Sequence, residues 1–216
     1  MDGDEFGPGD LLPSERDLMD RFKVGRPAVR EAMQSLQVSG LIDIRHGERA
    51  RVAQPSIPKV FEQLGDSVRH LLASSSASLE HMKDARLSFE KAMAAQAAQL
   101  RTNDDIERLH SILELQNDRQ DDTQRFLSQD REFHRVIASI SGNAIYPTLA
   151  DGMYKWLTDF DSGKPVSSNR KKQAIDEHAK ILSAIVDGDS RQADKEMHNH
   201  LTRVNGLYHK TAAPTD

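Results

Sequence analysis

Residues 12–52 read LPSERDLMDRFKVGRPAVREAMQSLQVSGLIDIRHGERARV, and their pattern decides the fold of the first part of the chain. Ser14, followed three residues later by Asp17, is typical of a capping box at the start of a helix. A second helix is predicted to begin at Pro27, because the first residue of a helix needs no amide proton. The turn between them is placed at 23–25. The stretch therefore predicts two short helices joined by a tight turn.

The second helix is predicted to end near Gly40, since glycine permits a left-handed exit from a helix. Two short strands are expected at 41–44 and 49–52, around a tip at 46–48. Helical spacing predicts which apolar residues of the two helices face inward. These residues are Leu18, Met19, Phe22, Val29, Ala32, Met33 and Leu36.

Basic side chains are concentrated in the same stretch. Residues 21–51 hold seven Lys or Arg against three acids, a local net charge of +4 in a chain whose total is −5. Arg26 and Arg30 are four residues apart and share the polar face at the start of the second helix. A helix-turn-helix inserts that end of its second helix into the major groove, so the pattern favours DNA binding. The spacing alone leaves open a small helical hairpin with solvated arginines.

The motifs LPSERDL, VGRPAVREAM, SGLI and RHGERARV, in this order, resemble the winged helix-turn-helix of the GntR family of bacterial transcription regulators. The resemblance implies double-stranded operator DNA as a partner. Arginine matches the major-groove edge of guanine, so Arg26 and Arg30 are the expected base readers. The other DNA contacts that the resemblance implies are Arg16, expected on phosphate, and His46 and Gly47 at the wing tip.

Two departures from the common family form are visible. Arg49 stands where most members have a second glycine in the wing, which predicts additional contact with phosphate or the minor groove. Members also carry a further helix before the segment that ends in PGD, whereas residues 1–9 hold only MDGDEFGPG. The first helix of the domain is therefore expected to be missing from this sequence.

Composition limits the class of protein. The 216 residues contain no cysteine, so disulfides, thiolate metal sites and cysteine nucleophiles are excluded. The sequence has no run of 18 apolar residues and no leader pattern, which predicts a cytoplasmic protein without a membrane partner. With a net charge of −5, a basic DNA-binding surface has to be local.

The chain is predicted to be mainly α-helical, with two domains. Residues 1–54 form the winged helix-turn-helix, residues 55–58 form a proline-containing linker, and residues 59–210 form an all-α domain. Apolar periodicity predicts seven helices in that second part, separated by polar turns, which favours an antiparallel bundle.

Four polar residues stand on apolar faces of the predicted bundle. Asp130 and His134 are four residues apart and share a helix face, while His178 and His200 adjoin apolar residues of two later helices. Imidazole and carboxylate together suit Zn, Ni, Mn or Fe. Taken singly, each side chain is more often a hydrogen-bonded core or surface residue, and this alternative stays open on the residues alone.

The pattern DxxxH followed by GN, then EHxxIxxAI, then a terminal HL resembles the FCD effector domain of the FadR group of GntR regulators, over residues 79–208. The resemblance implies that Asp130, His134, His178 and His200 bind a divalent metal, with zinc as the first choice over nickel, manganese or iron. It also implies that Arg86 faces the effector cavity, where its guanidinium would hold a carboxylate. An ion pair with Glu90, one turn away, is the equal alternative for Arg86.

These resemblances predict a ligand-responsive repressor that binds operator DNA as a homodimer and senses a small organic acid at a metal centre. VGRP, the GERARV wing, FHRVIASISGN and DGMYKWL are most similar to sialic-acid-responsive repressors, which makes N-acetylneuraminate the first candidate. Hexuronates and other organic acids are the alternative effectors. A metal-dependent enzyme using the Asp/His/His/His set is the alternative class, but Glu132 and Glu177, the possible acids or bases beside it, are expected on other helix faces.

Overall fold

The computed structural model describes residues 6–45, 47–54, 56–118, 122–160 and 167–208. The chain divides into two compact units, Met1–Gln63 and Leu64–Asp216. The described residues form nine helices and one two-stranded sheet, so the prediction of a mainly α-helical chain is confirmed.

The first unit begins with helix α1 (Glu15–Phe22) and helix α2 (Arg26–Val38). The capping box forms as predicted, because Ser14 accepts from the amide of Asp17 while its own amide donates to the Asp17 carboxylate. Lys23 ends α1 with a φ of 55°, a conformation that is uncommon for residues other than glycine. The tight turn between two short helices is thus confirmed.

The wing is smaller than predicted. Strand β1 (Ile42–Asp43) pairs antiparallel with strand β2 (Arg51–Val52), with Ile42 opposite Val52. Leu11 adds an isolated bridge to Arg51. The segment before α1 therefore contacts the wing and stabilises it.

Several residues predicted to face inward are exposed, and that prediction was wrong for Phe22 and Ala32. Val29 is buried, but Phe22 is 62% exposed and Leu18, Met33 and Leu36 are only partly covered. The reason is that these side chains line an open apolar groove of about 420 Å³ between α1, α2 and Phe6. Helical periodicity identified an apolar face correctly, but no described residue of this unit covers it.

Helix α3 (Ile57–Ser74) corrects the predicted linker at 55–58. The helix already includes Ile57 and Pro58, since proline fits the first turn of a helix, and Pro55 lies outside the described residues. The division between the two units falls inside α3. The domain bounds 1–54 and 59–210 stay predictions.

The second unit holds six further helices and a single core. Helix α4 packs against α8 and α9, α5 packs against α6 and α8, and α6 packs against α7. Together with α3, these six helices match the seven that the sequence predicts after the first domain. Their bounds are α4 (Ser76–Leu100), α5 (Asn103–Asp118), α6 (Thr123–Ser139), α7 (Ile145–Thr158), α8 (Ser168–Asp187) and α9 (Ser190–Asn205).

Candidate metal centre and DNA-contacting residues

Three imidazoles meet in the core of the second unit. His134 comes from α6, His178 from α8 and His200 from α9, and all three side chains are buried. One ring nitrogen of each lies within 4.8 Å of the corresponding nitrogens of the other two. Ala174 and Ile181 lie one turn to either side of His178, so the apolar periodicity that builds the core also brings this ring into it.

Gln116, fully buried near the end of α5, connects two of the predicted ligands. Its amide nitrogen donates to Asp130 Oδ1 over 3.4 Å, and its amide oxygen lies 3.0 Å from His178 Nδ1. A carboxylate without a proton only accepts, which sets the orientation of the amide. The amide oxygen also only accepts, so His178 Nδ1 carries the proton. His178 Nε2 is left with a free lone pair, 3.5 Å from Asp130 Oδ1.

His200 is oriented by Glu177. Its Nδ1 donates to Glu177 Oε2 over 2.8 Å, and Arg203 holds the same carboxylate with bonds of 2.7 Å from Nε and 2.6 Å from Nη2. Burial alone would raise the pKa of Glu177, but the hydrogen bonds from His200 and Arg203 lower that pKa to about 2. The expectation that Glu177 lies away from the cluster was wrong, because α9 packs beside α8 and brings His200 to it.

His134 lies against a buried carboxylate on α4. Its Nδ1 contacts Glu90 Oε2, while Glu90 Oε1 accepts from Arg86 Nε over 2.6 Å. Burial would raise the pKa of Glu90, but the charges of Arg86 and His134 outweigh this effect and lower it to about 2. Among the described residues, neither ring nitrogen of His134 has a hydrogen-bond partner, and Glu90 Oε2 has none either. All three rings therefore place Nδ1 against an acceptor.

Because Nδ1 of His178 donates to Gln116 and Nδ1 of His200 donates to Glu177, the Nε2 lone pairs of these two rings face each other. The Nε2 atoms of His178 and His200 are 3.4 Å apart, and both rings carry their proton on Nδ1. Burial, followed by the charges of His200 and His134, lowers the pKa of His178 well below its usual range. Burial also lowers the pKa of His200. Since additional protons are disfavoured, neutral imidazoles beside the Asp130 carboxylate suit a divalent cation.

Arg86 takes up the ion pair with Glu90 that the sequence left open. Its guanidinium is fully buried, also donates to Tyr208 Oη over 3.2 Å, and lies 5.2 Å from the centroid of the Tyr154 ring. The predicted contact of Arg86 with an effector stays a prediction. Through Glu90 the arginine already supports the position of His134.

The predicted base readers both lie beside one carboxylate. Arg30 Nε is 3.1 Å from Glu15 Oε1, and Arg26 Nε is 3.6 Å from Glu15 Oε2. Both guanidinium groups stay largely exposed at the N-terminal end of α2. Both side chains are therefore accessible to solvent, as contact with bases would require.

The other predicted DNA contacts are placed less uniformly. Arg16 is exposed on α1, whereas Arg49 donates to the carbonyl of Leu12 over 2.7 Å and so braces the wing. Gly47 has a φ of 78° and open space where a Cβ would be, which suits close approach of the backbone to DNA. His46 lies outside the described residues.

Comparison with known proteins identifies the chain. Residues 2–52 match the model described as bacterial regulatory proteins, gntR family, and residues 81–203 match that of the FCD domain. The HTH-type transcriptional repressor NanR of Klebsiella aerogenes is 36% identical over 209 residues, which cover 94% of this chain and 79% of that protein. The chain belongs to the GntR family of regulators with an FCD domain. The metalloenzyme alternative is thereby set aside, because this GntR regulator is a DNA-binding protein and not an enzyme.

Further relatives agree with this assignment. NanR of Salmonella newport is 36% identical over 210 residues, covering 95% of this chain and 79% of that protein. Among solved structures, Streptococcus agalactiae GntR has a TM-score of 0.61 at 24% identity, covering 94% of this chain and 91% of that one. E. coli McbR/YncC has a TM-score of 0.54 at 15% identity, with coverages of 94% and 88%. These two structures support the fold alone.

Sequence reasoning missed three residues of the site. Glu90 and Gln116 were not assigned to the cluster, and Glu177 was placed away from it. For Gln116 a signal existed, because it continues the apolar stripe of Leu109 and Ile112 as a polar residue at helical spacing.

Among the described helices, none is long and apolar enough to cross a bilayer.

Proposed function

We propose that this GntR regulator represses genes of sugar-acid catabolism, with sialic acid as the first candidate, and responds to a small carboxylic acid at a metal centre. The observation that carries the proposal is the convergence of three buried imidazoles whose Nδ1 atoms all face acceptors. The relatives named as transcriptional repressors NanR, 36% identical over most of the chain, support repression. The choice of sialic acid rests on the similarity of the sequence motifs to sialic-acid-responsive repressors.

The proposed metal ligands are Asp130, His134, His178 and His200. Zinc is the first choice, ahead of nickel, manganese and iron, because imidazole and carboxylate serve all four. A bound ion supplies a positive centre with positions open to a carboxylate or hydroxyl oxygen of the effector. Gln116 and Glu177 keep His178 and His200 in the tautomer that such a centre needs, and Glu90 lies against Nδ1 of His134.

Arg86 supports the same centre by holding Glu90. Direct contact of Arg86 with the acid, which the family resemblance implies, would require Tyr208 to leave Nη1 of the arginine. Its primary role in this proposal is therefore to position Glu90 against His134. An acid that displaced Tyr208 would gain a bidentate partner.

In the DNA-binding part, Arg26 and Arg30 are proposed to read guanines in the major groove. Their exposed guanidinium groups at the start of α2 support this role, since that end of a recognition helix approaches the bases. Arg16 is proposed to bind phosphate, and His46, Gly47 and Arg49 are proposed to place the wing on the minor groove.

A homodimer is proposed because one recognition helix reads few base pairs, whereas two helices read a palindrome with twice the contacts. The regulator would act in the cytoplasm, where its operator lies. The acid changes DNA affinity only if it binds two arrangements of the dimer with different affinities. Occupancy of the metal centre then sets the population that is competent to bind DNA.

One calorimetric experiment tests the proposal. The zinc-loaded chain is titrated with N-acetylneuraminate, galacturonate, glucuronate, gluconate and lactate, and the metal-free chain is titrated in parallel. We expect N-acetylneuraminate to bind most tightly and only when zinc is present. Tighter binding of a hexuronate would replace sialic acid by the second candidate effector. Equal heats with and without zinc, or no heat with any acid, would refute sensing at the metal centre.

A further inference from the structure

A cleft in the second unit leads to the cluster of imidazoles. Asp130 and His200 form part of its wall, together with Tyr154 and Tyr208. Its volume is about 70 Å³. Pockets for whole small-molecule ligands hold roughly 300–1,000 Å³. The cleft therefore accommodates one end of a sugar acid, and the rest of the acid has to lie outside it.

Two arginines line this cleft, and their surroundings differ. Arg203 is held by Glu177, which is bound in turn to His200, so its charge is compensated. Arg170 is half-buried, and only its backbone amide has a described bond, to the side chain of Ser167. Within the described ranges, no ion pair of the Arg170 guanidinium is present. Arg170 thus offers a cationic donor fork to the cleft.

The helix that carries Arg170 also fixes its distance from the metal centre. Arg170, Ala174 and His178 are spaced by four residues and follow one face of α8. At 1.5 Å per residue, Arg170 and His178 are about 12 Å apart along the helix axis. A ligand that touches both regions has to be extended. Short hydroxy acids such as lactate are confined to one of the two.

The electrostatic setting of Arg170 favours an acceptor group. The first turn of α8 contains no acidic residue, and Lys171 and Lys172 follow Arg170 directly. The amine of Lys171 turns inward, 2.8 Å from Thr123 Oγ1. The amide dipoles at the start of a helix add positive potential to that of these cations.

We infer that Arg170 is a specificity-determining residue, which binds the end of an extended sugar acid remote from the group held at the metal centre. The inference rests on the proposed function, because it assumes that an acid enters by this cleft. Long polyhydroxylated acids are then selected over short hydroxy acids, although both carry a carboxylate. Arg86, covered by Tyr208 and paired with Glu90, takes no part in this selection.

The test compares the binding of two acids to the original zinc-loaded chain and to variants of it. Arg170→Met keeps the aliphatic stem and removes the donors, while Lys172→Met removes an exposed charge from the same helical turn. We expect Arg170→Met to weaken N-acetylneuraminate about tenfold, the loss typical of one charged hydrogen bond, and to change the affinity for lactate less than about twofold. Lys172→Met should bind both acids like the original chain.

The outcomes separate the two proposals. If the original zinc-loaded chain binds neither acid, sialic acid is excluded as the effector, and the comparison is repeated with the hexuronates; binding of none of these acids would refute sensing at the metal centre. If it binds N-acetylneuraminate and Arg170→Met binds it equally well, the role of Arg170 is overturned while the proposed function stands. An equal loss for both acids would also overturn selection by Arg170, provided that zinc content and circular dichroism are unchanged. A partial recovery in Arg170→Lys would support a role of the charge itself.

Discussion

Each of the two units contains an ion pair between an arginine and a glutamate, which is exposed in the first unit and buried in the second. Arg30 and Glu15 lie 3.1 Å apart in the first unit, with side chains 62% and 33% exposed. Arg86 and Glu90 lie 2.6 Å apart in the second unit, and their side chains are 1% and 3% exposed. An exposed pair contributes little and exchanges readily for another partner, whereas a buried pair is costly to break. The first arrangement suits arginines that have to change partners, and the second suits a fixed support.

The largest effect is expected from breaking the buried pair. Arg86→Met leaves the Glu90 carboxylate buried without its guanidinium, so the free energy of unfolding should fall by about 3–5 kcal/mol. Urea titration of the metal-free chain measures this loss. The double substitution Arg86→Met with Glu90→Leu should recover a large part of it, and Arg125→Met, at an exposed pair, is the control. A loss below about 1 kcal/mol would remove the distinction between the two pairs.

A smaller effect is expected from Gln116, an uncharged residue that contacts two of the proposed metal ligands. Gln116→Met keeps the length of the side chain but loses the bonds to His178 and Asp130. Loss of the hydrogen bonds that orient metal ligands weakens metal binding about 10–100-fold. Competition with a chromogenic zinc chelator measures the change. Gln192→Met, on α9, is the control. Unchanged zinc affinity at unchanged stability would show that His178 needs no orienting partner.

Arg30 tests the exposed pair through DNA. Arg30→Ala should reduce the preference for operator over unrelated DNA by about 1–3 kcal/mol, because a bidentate base contact is lost. Gel-shift titrations at one fixed salt concentration measure both affinities. Arg125→Ala removes the same charge from the second unit and should leave the preference intact. An equal loss of affinity for both DNA molecules would assign Arg30 to phosphate instead of bases.

The smallest effect is expected from Glu15→Gln. The exposed ion pairs with Arg30 and Arg26 are lost, but water solvates the two guanidinium groups. The free energy of unfolding should therefore change by less than about 1 kcal/mol. Urea titration beside the Arg86→Met variant makes the comparison direct. A loss as large as that of Arg86→Met would show that solvent does not weaken the Glu15 pair.

Features that depend on residues close in sequence were predicted better than contacts between residues distant in sequence. The cap at Ser14 and the helix end near Gly40 depend on neighbouring residues, and the sequence predicted both closely. The convergence of the histidines was predicted from a family resemblance and not from spacing. Gln116 and Glu90 were not assigned to the cluster, because His178 and His134, which they contact, lie on other helices and are brought to them only by the bundle.

The burial of Phe22 failed for a related reason. Periodicity reports which side of a helix is apolar, but it does not report whether another segment covers that side. In the first unit the apolar side borders an open groove, and in the second unit the corresponding sides close on a single core. The same signal is therefore a good predictor of burial only where helices are numerous enough to cover one another.

The origin of the three imidazoles on α6, α8 and α9 has a consequence for heat resistance. An ion held by all three would act as a cross-link between segments up to 66 positions apart in the sequence, from His134 to His200. Such a cross-link adds about 2.7 kcal/mol at an ion concentration one hundred times the dissociation constant. Scarcity of the ion would then soften the bundle before any acid arrived, and the melting temperature of the regulator would follow the metal supply of the cell.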